Sequence, residues 1–452
     1  MKGKTDLNRR SFFQQSATAA GLGLSTRMAA AQARVPGAND RIHLAFIGVG
    51  DRGRWHLRRM VEWARDPQGK IAIPAVCDCW EKRRLEARQW SQGEAYADYR
   101  KVLERKEVDA VLIATPDHWH SRIAVEAMEA GKDVYCEKPV TLYWQQAREI
   151  ARTAERTGRV FQCGAQSASE EIWWKARQLI QDGLIGKLIW TQGGAFRNNP
   201  KGDWNWTIDP TANPSNVDWD MWLGWRWKRA PRRPWEPERF FRFRKFWDYS
   251  GGIATDLLYH GLSHLLVALG AEFPVRVTAT GGNYVFGKSN DNREVPDSFF
   301  VTIDYPGGHT VVLPSTQVNQ NGLADAIRGQ HGTMTFDSER GILVRPEPPF
   351  AADMEQKISS GKFPGARAGV CEERTRKPAA GQNAAVPLTC LEFPVVSQRD
   401  HMMNFLDCVR SREKPTLNAD LAYKVMVAIG LSVEAFRRNR VMRFDPFRQE
   451  VL

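Results

Sequence analysis

A carboxylate and an amine stand side by side at Glu137-Lys138, and Pro139 fixes the turn after them. Asp256, His260 and His264 recur at i, i+4 and i+8 within a helical run, Ile253–Leu269. That spacing puts all three on roughly one helix face. A carboxylate beside imidazoles can orient and move a proton. An aspartate and two histidines on one helix could instead bind zinc. A third group is the intact G-x-G-x-x-G of Gly48-Val49-Gly50-Asp51-Arg52-Gly53. The apolar strand Ile42–Ile47 precedes it and a helical pattern, Arg54–Trp63, follows, so it reads as a dinucleotide fingerprint. Gly48 permits the tight turn, Gly50 lets the backbone approach a pyrophosphate, and Gly53 allows close helix–strand packing. A second strand, Ile71–Val76, leads to Asp78, an acid placed to accept from ribose hydroxyls, which favours NAD. Lys82, Arg83 and Arg84 follow and could hold a 2′-phosphate, which leaves NADP open.

These groups need a sheet to hold them. Ala114–Thr141 reads as strand, helix and strand: an apolar run closing at Thr115-Pro116, a helix over Ser121–Ala130 capped by Gly131, then Asp133–Cys136. Open parallel sheets bind ligands beyond the carboxyl ends of their strands. Thr115–His120 and Glu137–Pro139 both lie at such ends. With a largely helical Glu86–Arg105 and the strand Asp109–Ala114, the pattern is a doubly wound α/β domain. Trp144–Thr157 is a further helix, and Val160–Gly164 is the strand that closes this domain. The helix Glu170–Asp182 then opens the second domain. Nine of the 17 tryptophans fall between residues 190 and 250, interleaved with arginines. Indole faces stack on sugar rings and arginines bind hydroxyls or carboxylates. The same indoles can equally form the core of a loop-rich insertion.

The GVGDRG turn, the ATPDHWH segment and the AGKDVYCEKP stretch together resemble the Gfo/Idh/MocA family, over nearly all of residues 40–445. The resemblance implies a Rossmann dinucleotide-binding domain over 40–165. It also implies a C-terminal α+β domain over 166–445, built on an open-faced, mainly antiparallel sheet, with a Trp-rich insertion at 197–247. Sheet strands are expected at Leu188–Phe196, Pro274–Gly287, Ser298–Tyr305, His309–Gln317 and Thr333–Asp337. Residues 350–387 read as a long surface excursion, and His401–Arg410 and Ala419–Arg437 as closing helices. In the family the lysine of EKP lies near the nicotinamide and the reacting carbon, a role carried to Lys138 beside Glu137. Family members also contact the cofactor through the segment matching Thr115, Pro116, Asp117 and His120, although asparagine is usual where Asp117 stands. The second signature, glycines followed by D-x-x-x-H, gives His260 as general base or acid and Asp256 as its assistant. The family does not normally need a metal there, so none is expected, and His264 is read as a packed helix residue.

The totals exclude other classes. Among 452 residues, 42% are apolar and 26% charged, which is globular, and no apolar run reaches the length of a membrane span. The formal charge of +12 is spread along the chain with no nucleic-acid-binding motif, so no nucleic-acid partner is expected. The seven cysteines are irregularly spaced and imply no disulfide framework. Residues 1–33 carry Arg9-Arg10, a weakly apolar Ala/Gly/Leu stretch and small-residue cleavage sites. They resemble a twin-arginine export signal, which makes the protein periplasmic or exported. The activity implied is hydride transfer between nicotinamide and a sugar or polyol. One alternative is a glycosidase that retains its NAD and acts by transient oxidation, elimination, hydration and re-reduction. Another is a non-catalytic sugar-binding protein. In the family such open sheet faces often pair between subunits, so the resemblance implies a homo-oligomer.

Overall fold

The computed structural model describes residues 41–66, 69–287, 291–370, 389–395 and 400–452. The expected export segment, residues 1–33, lies outside them. Strands β1 (Ile42–Ile47), β2 (Ile71–Ala72), β3 (Ala75–Cys77), β4 (Glu94–Tyr96), β5 (Ala110–Ile113), β6 (Asp133–Glu137) and β7 (Phe161–Gly164) form the first sheet. Between them run helices α1 (Asp51–Arg65), α2 (Glu81–Ser91), α3 (Tyr99–Leu103), α4 (Asp117–Glu129) and α5 (Trp144–Thr157). The order is β4-β3-β1-β5-β6-β7, with β2 also on β1, and every pairing is parallel. The order reverses on either side of β1, so the glycine turn after β1 opens at the switch point, where such sheets bind ligands.

Three local differences from expectation have physical causes. The strand expected over 71–76 is broken at Pro74, which has no N–H to give to the ladder. The helical stretch expected over 86–105 contains β4, because α2 ends on Gln92 in the left-handed region (φ 59°). Helix α4 starts at Asp117 rather than Ser121, and Asp117 places a carboxylate in the first turn, which the helix dipole favours.

The second sheet takes β8 (Leu188–Gln192), β9 (Ala195–Phe196), β10 (Arg276–Gly282), β11 (Ser298–Tyr305), β12 (His309–Thr316), β13 (Ala326–Gly329), β14 (Gly332–Asp337), β15 (Gly341–Pro346), β16 (Arg367–Val370), β17 (Thr389–Phe393), β18 (Met442–Asp445) and β19 (Glu450–Val451). Among the described residues its order is β16-β17-β15-β14-β13-β8-β12-β11-β10-β18-β19, with β9 on β12. Only the pairings of β12 with β8 and β9 are parallel. The single strand expected over 188–196 is split at Gly193-Gly194, opposite Leu313-Pro314 of β12, where Pro314 has no N–H to give and Gly193 N still donates to the Val312 carbonyl at 3.2 Å. Helices α6 (Glu171–Gln181), α9 (Tyr259–Leu269) and α12 (Ala419–Arg438) pack together on one face, and the short α7 (Trp219–Leu223) and α8 (Pro237–Phe241) lie in the Trp-rich segment. On β11, Phe299, Val301 and Ile303 point into this core, while Phe300 is 37% exposed on the opposite face. The expected excursion over 350–387 is in part ordered as α10 (Ala351–Ser359), which buries Met354, and as β16; residues 371–388 lie outside the described set. Helix α11 (His401–Ser411) returns to the first sheet, where Met402, Phe405 and Leu406 share a core with Leu44, Phe46 and Tyr135. Cys390 is disulfide-bonded although the spacing implied no disulfide framework, whereas Cys77, Cys79, Cys136, Cys163 and Cys408 are free.

Buried histidines make this fold acid-sensitive. Burial pushes His118 down to about 3, and His309 and His401 down to about 4. At pH 5 the folded chain keeps all three neutral, while in the unfolded chain they protonate near pH ~6.5. The unfolded state therefore binds more protons below that pH, and stability falls as pH drops from ~6.5 towards 4. The slope is about 1.4 kcal/mol per pH unit for each histidine. Melting curves should show a Tm that is level between pH 7 and 8 and drops steeply from 6.5 to 4.5. A level Tm across the acid window would contradict the neutral assignments.

Candidate active site

One cavity of about 580 Å³ starts at the glycine turn and runs past the end of β6 to the helix carrying His260. Gly48 has φ +83°, and a Cβ there would lie 2.7 Å from the Ala114 carbonyl carbon. A Cβ on Gly53 would lie 2.0 Å from the Gly48 oxygen. The turn is thus packed to contact, and Gly53→Ala should abolish NAD binding in calorimetry and lower the Tm; unchanged affinity would refute the close packing. Asp78 anchors the turn: its Oδ2 accepts from Val49 N at 2.9 Å and its Oδ1 from Trp80 N at 2.9 Å. It still lines the cavity, as do Gly50, Asp51 and Arg52. Of the three basic residues after it, Lys82 pairs with Asp209 and Arg84 donates to the Asp78 carbonyl. Only Arg83 lines the cavity, with its guanidinium over the Trp80 and Phe240 rings.

Glu137 ends β6 inside a ring of donors. Its Oε1 accepts from His56 Nε2 at 2.7 Å, Arg52 Nε at 2.9 Å and Gln166 Nε2 at 3.2 Å. Burial alone would raise its pKa, but His56 and Arg52 outweigh burial and hold the carboxyl well below the usual range. His56 and Gln166 carried no sequence signal beyond the spacing of Arg52 and His56 at i, i+4 on α1. Thr115, Pro116 and Asp117 line the cavity, and Thr115 Oγ1 and Asp117 Oδ2 are buried with no protein partner. Orphaned atoms beside a glycine cradle that any Cβ would fill fit a dinucleotide. His120 is the exception among the expected cofactor contacts. Its ring nitrogens meet the Pro139 and Thr115 carbonyls at 2.7 and 2.8 Å, and it does not line the cavity. Because α4 begins at Asp117, His120 lies one turn in and ties the two strand-end loops together.

Lys138 crosses to the second domain. Its Nζ donates to Asp256 Oδ1 at 2.7 Å and to the Asp256 carbonyl at 2.8 Å. Arg244 Nε donates to the same Oδ1 at 2.7 Å, and Trp204 Nε1 to Oδ2 at 3.1 Å. Burial opposes ionisation of Asp256, but the Lys138 and Arg244 charges outweigh it and keep the carboxyl well below its ordinary range. His260 lines the same cavity, where burial and then the Lys138 charge push it down to about 3. A π-helical turn over Ala254–Leu258 carries Asp256 and runs into α9. Such bulges re-aim side chains at functional sites. His264 turns away: it stacks on Trp173 at 4.0 Å and bonds Ser167 and Asp325. The three residues therefore do not converge, and among the described residues no cluster of histidine, cysteine and acid could hold a metal.

Residues 42–165 match the model of an oxidoreductase family with an NAD-binding Rossmann fold, and residues 228–444 match that family's C-terminal alpha/beta domain. The chain belongs to the Gfo/Idh/MocA oxidoreductase family. It is 32% identical over 171 residues to an inositol 2-dehydrogenase of Klebsiella pneumoniae, 37% of this chain and 49% of that protein. It is 28% identical over 162 residues to a glycosyl hydrolase family 109 protein of Shewanella, 33% and 34% of the two chains. The chain thus spans a third to a half of these curated relatives. A levoglucosan dehydrogenase in complex with NADH superimposes with a TM-score of 0.61 at 15% identity, covering 89% of this chain and 98% of that one. The cofactor of the first domain is NAD.

Within this Gfo/Idh/MocA frame, the Trp-rich insertion forms the outer wall of the cavity. Trp219, Trp222, Phe240 and Tyr249 make a small core of their own around Trp80, as the packing reading expected. Trp204, Trp206 and Trp222 also line the cavity. The insertion is stitched to the first domain through its middle, over 216–222. Asp218 N donates to the Cys79 carbonyl, Glu81 N donates to the Asn216 carbonyl, and Trp119 Nε1 donates to the Trp222 carbonyl at 2.8 Å.

Proposed function

We propose that this protein is an NAD-dependent oxidoreductase acting on a sugar or polyol hydroxyl. The observation that carries it is the Lys138–Asp256 contact of 2.7 Å, with His260 beside it, in the cavity that opens at the glycine turn. When bound, NAD supplies the hydride acceptor that such an oxidation needs. His260, kept neutral by burial, accepts the hydroxyl proton. Lys138 spends two N–H groups on Asp256 and turns the third to the substrate oxygen, where it stabilises the charge that develops. Asp256, already accepting from three donors, positions the lysine. The named dehydrogenases among the relatives support a polyol or sugar. The test is to release bound nucleotide from the purified protein, identify it by mass spectrometry, and follow absorbance at 340 nm with a panel of sugars and aryl glycosides. NADH formed in proportion to a sugar supports the reading; no nucleotide and no response to any sugar overturns it.

A second reading, the NAD-retaining glycosidase, is favoured by the insertion stitched across the cavity wall, which would slow cofactor exchange, and by the name of the Shewanella relative. It predicts aglycone release with no net NADH. Export by the twin-arginine route is proposed with it: Arg9-Arg10 supports it, and the disulfide at Cys390 fits an oxidising compartment. The sheet face carrying Phe300 is proposed as the surface between subunits.

A further inference from the structure

We propose that Arg244 anchors a carboxylate on the substrate, so that the sugars this site takes are sugar acids. The inference rests on the oxidoreductase reading and narrows its substrate class. Arg244 comes from the insertion and reaches the reacting end of the cavity. Its Nε is committed to Asp256 at 2.7 Å. Its guanidinium carbon lies 4.5 Å from the Phe243 ring centroid and 5.2 Å from that of Trp206. One hydrogen bond and two aromatic faces hold the plane of the group. The two terminal nitrogens make no hydrogen bond among the described residues, and the side chain, 20% exposed, opens onto the cavity. A fixed guanidinium edge with two free N–H groups matches a carboxylate in a bidentate pair.

Asp256, Asp117 and Asp51 all act on the Arg244 charge, and among the described residues only Asp256 hydrogen-bonds it. Asp256 is shared between Lys138 and Arg244. Arg197 adds another cation to the same wall, held to Asp203 only at 3.4 Å with its side chain 52% exposed. Asp117 begins α4 with one buried oxygen unpartnered. Trp206, 40% exposed, offers a face to the ring of a sugar whose carboxylate is on Arg244.

The experiment uses the NAD-loaded full chain. Hexuronic acids and the neutral hexoses of the same configurations are titrated in, with binding read by calorimetry and tryptophan quenching. The acids should bind about tenfold to a hundredfold tighter, the scale of a charged hydrogen-bond pair. Arg244→Gln and Arg244→Lys should both erase that preference, because lysine restores the charge without the fork. Neutral sugars binding as tightly as acids to the wild-type chain, or a preference that survives Arg244→Gln, would overturn the assignment; the wild-type ratio decides even where a variant fails to fold. NADH formed from neutral sugars without any acid preference would sink this inference and leave the oxidoreductase reading intact. No nucleotide and no response to any sugar would remove both.

Discussion

Alanine at His260 lowers kcat by about 10²- to 10⁴-fold, the usual weight of a positioned general base, while NAD stays bound. The expectation follows from what else in the cavity could take the proton. Asp256 is occupied by Lys138, Arg244 and Trp204. Glu137 is occupied by His56, Arg52 and Gln166. Those donors occupy the carboxylate oxygens that would otherwise take a proton. His260 is the imidazole of the cavity wall, and burial keeps it neutral down to a pH of about 3. The wild-type rate should therefore show no acid limb near pH 6 to 7, where an exposed histidine would give one. Single-turnover absorbance at 340 nm across pH 5 to 8 reads both points. Wild-type turnover in the alanine variant would move the base elsewhere, and a limb near 6.5 would mean that His260 is hydrated during turnover.

The groups at the two ends of the site were legible in sequence for different reasons. The glycine turn follows from steric necessity, since no Cβ fits at Gly48 or Gly53, and such necessity shows in residue type. Lys138 and His260 stood out by adjacency and spacing, but their roles were legible only through the family resemblance. The sheet pattern of the first domain was readable where strands are buried on both faces, as in Ala110–Ile113. It failed at Pro74, where a proline removes a ladder donor and splits a run that looks continuous. The partners that complete the site were not readable at all. Arg244 and Trp204 reach Asp256 from 12 and 52 residues away in sequence, and their neighbours in the insertion have the same composition. His120 shows the opposite error. Its position in a recognised segment suggested cofactor contact, yet an earlier helix start turned it onto two backbone carbonyls.

The second large effect is an asymmetry between the partners of the ion cluster. Lys138 and Arg244 both donate to one oxygen of Asp256 at 2.7 Å, and the side chains are 14%, 20% and 8% exposed. Removing the anion leaves two cations facing each other across a site with little water. Removing one cation leaves a pair. Asp256→Asn should therefore destabilise the fold by about 3–5 kcal/mol, the range for stranding buried charge. Lys138→Met should cost only about 1–2 kcal/mol, because Arg244 and the Trp204 N–H still answer the carboxylate. The double variant should be more stable than Asp256→Asn alone, since methionine removes one of the stranded charges and keeps the volume of the lysine stem. Urea unfolding of the four proteins gives the coupling directly. Lys138→Met proving the more damaging single change would show that Arg244 does not share the carboxylate in solution. Catalysis would order the variants differently: both single changes should lower kcat severely, because the substrate oxygen needs Lys138 in place whichever partner is lost. Stability and turnover thus separate the role of Asp256 as an electrostatic hub from the role of Lys138 as a group that touches the reacting oxygen.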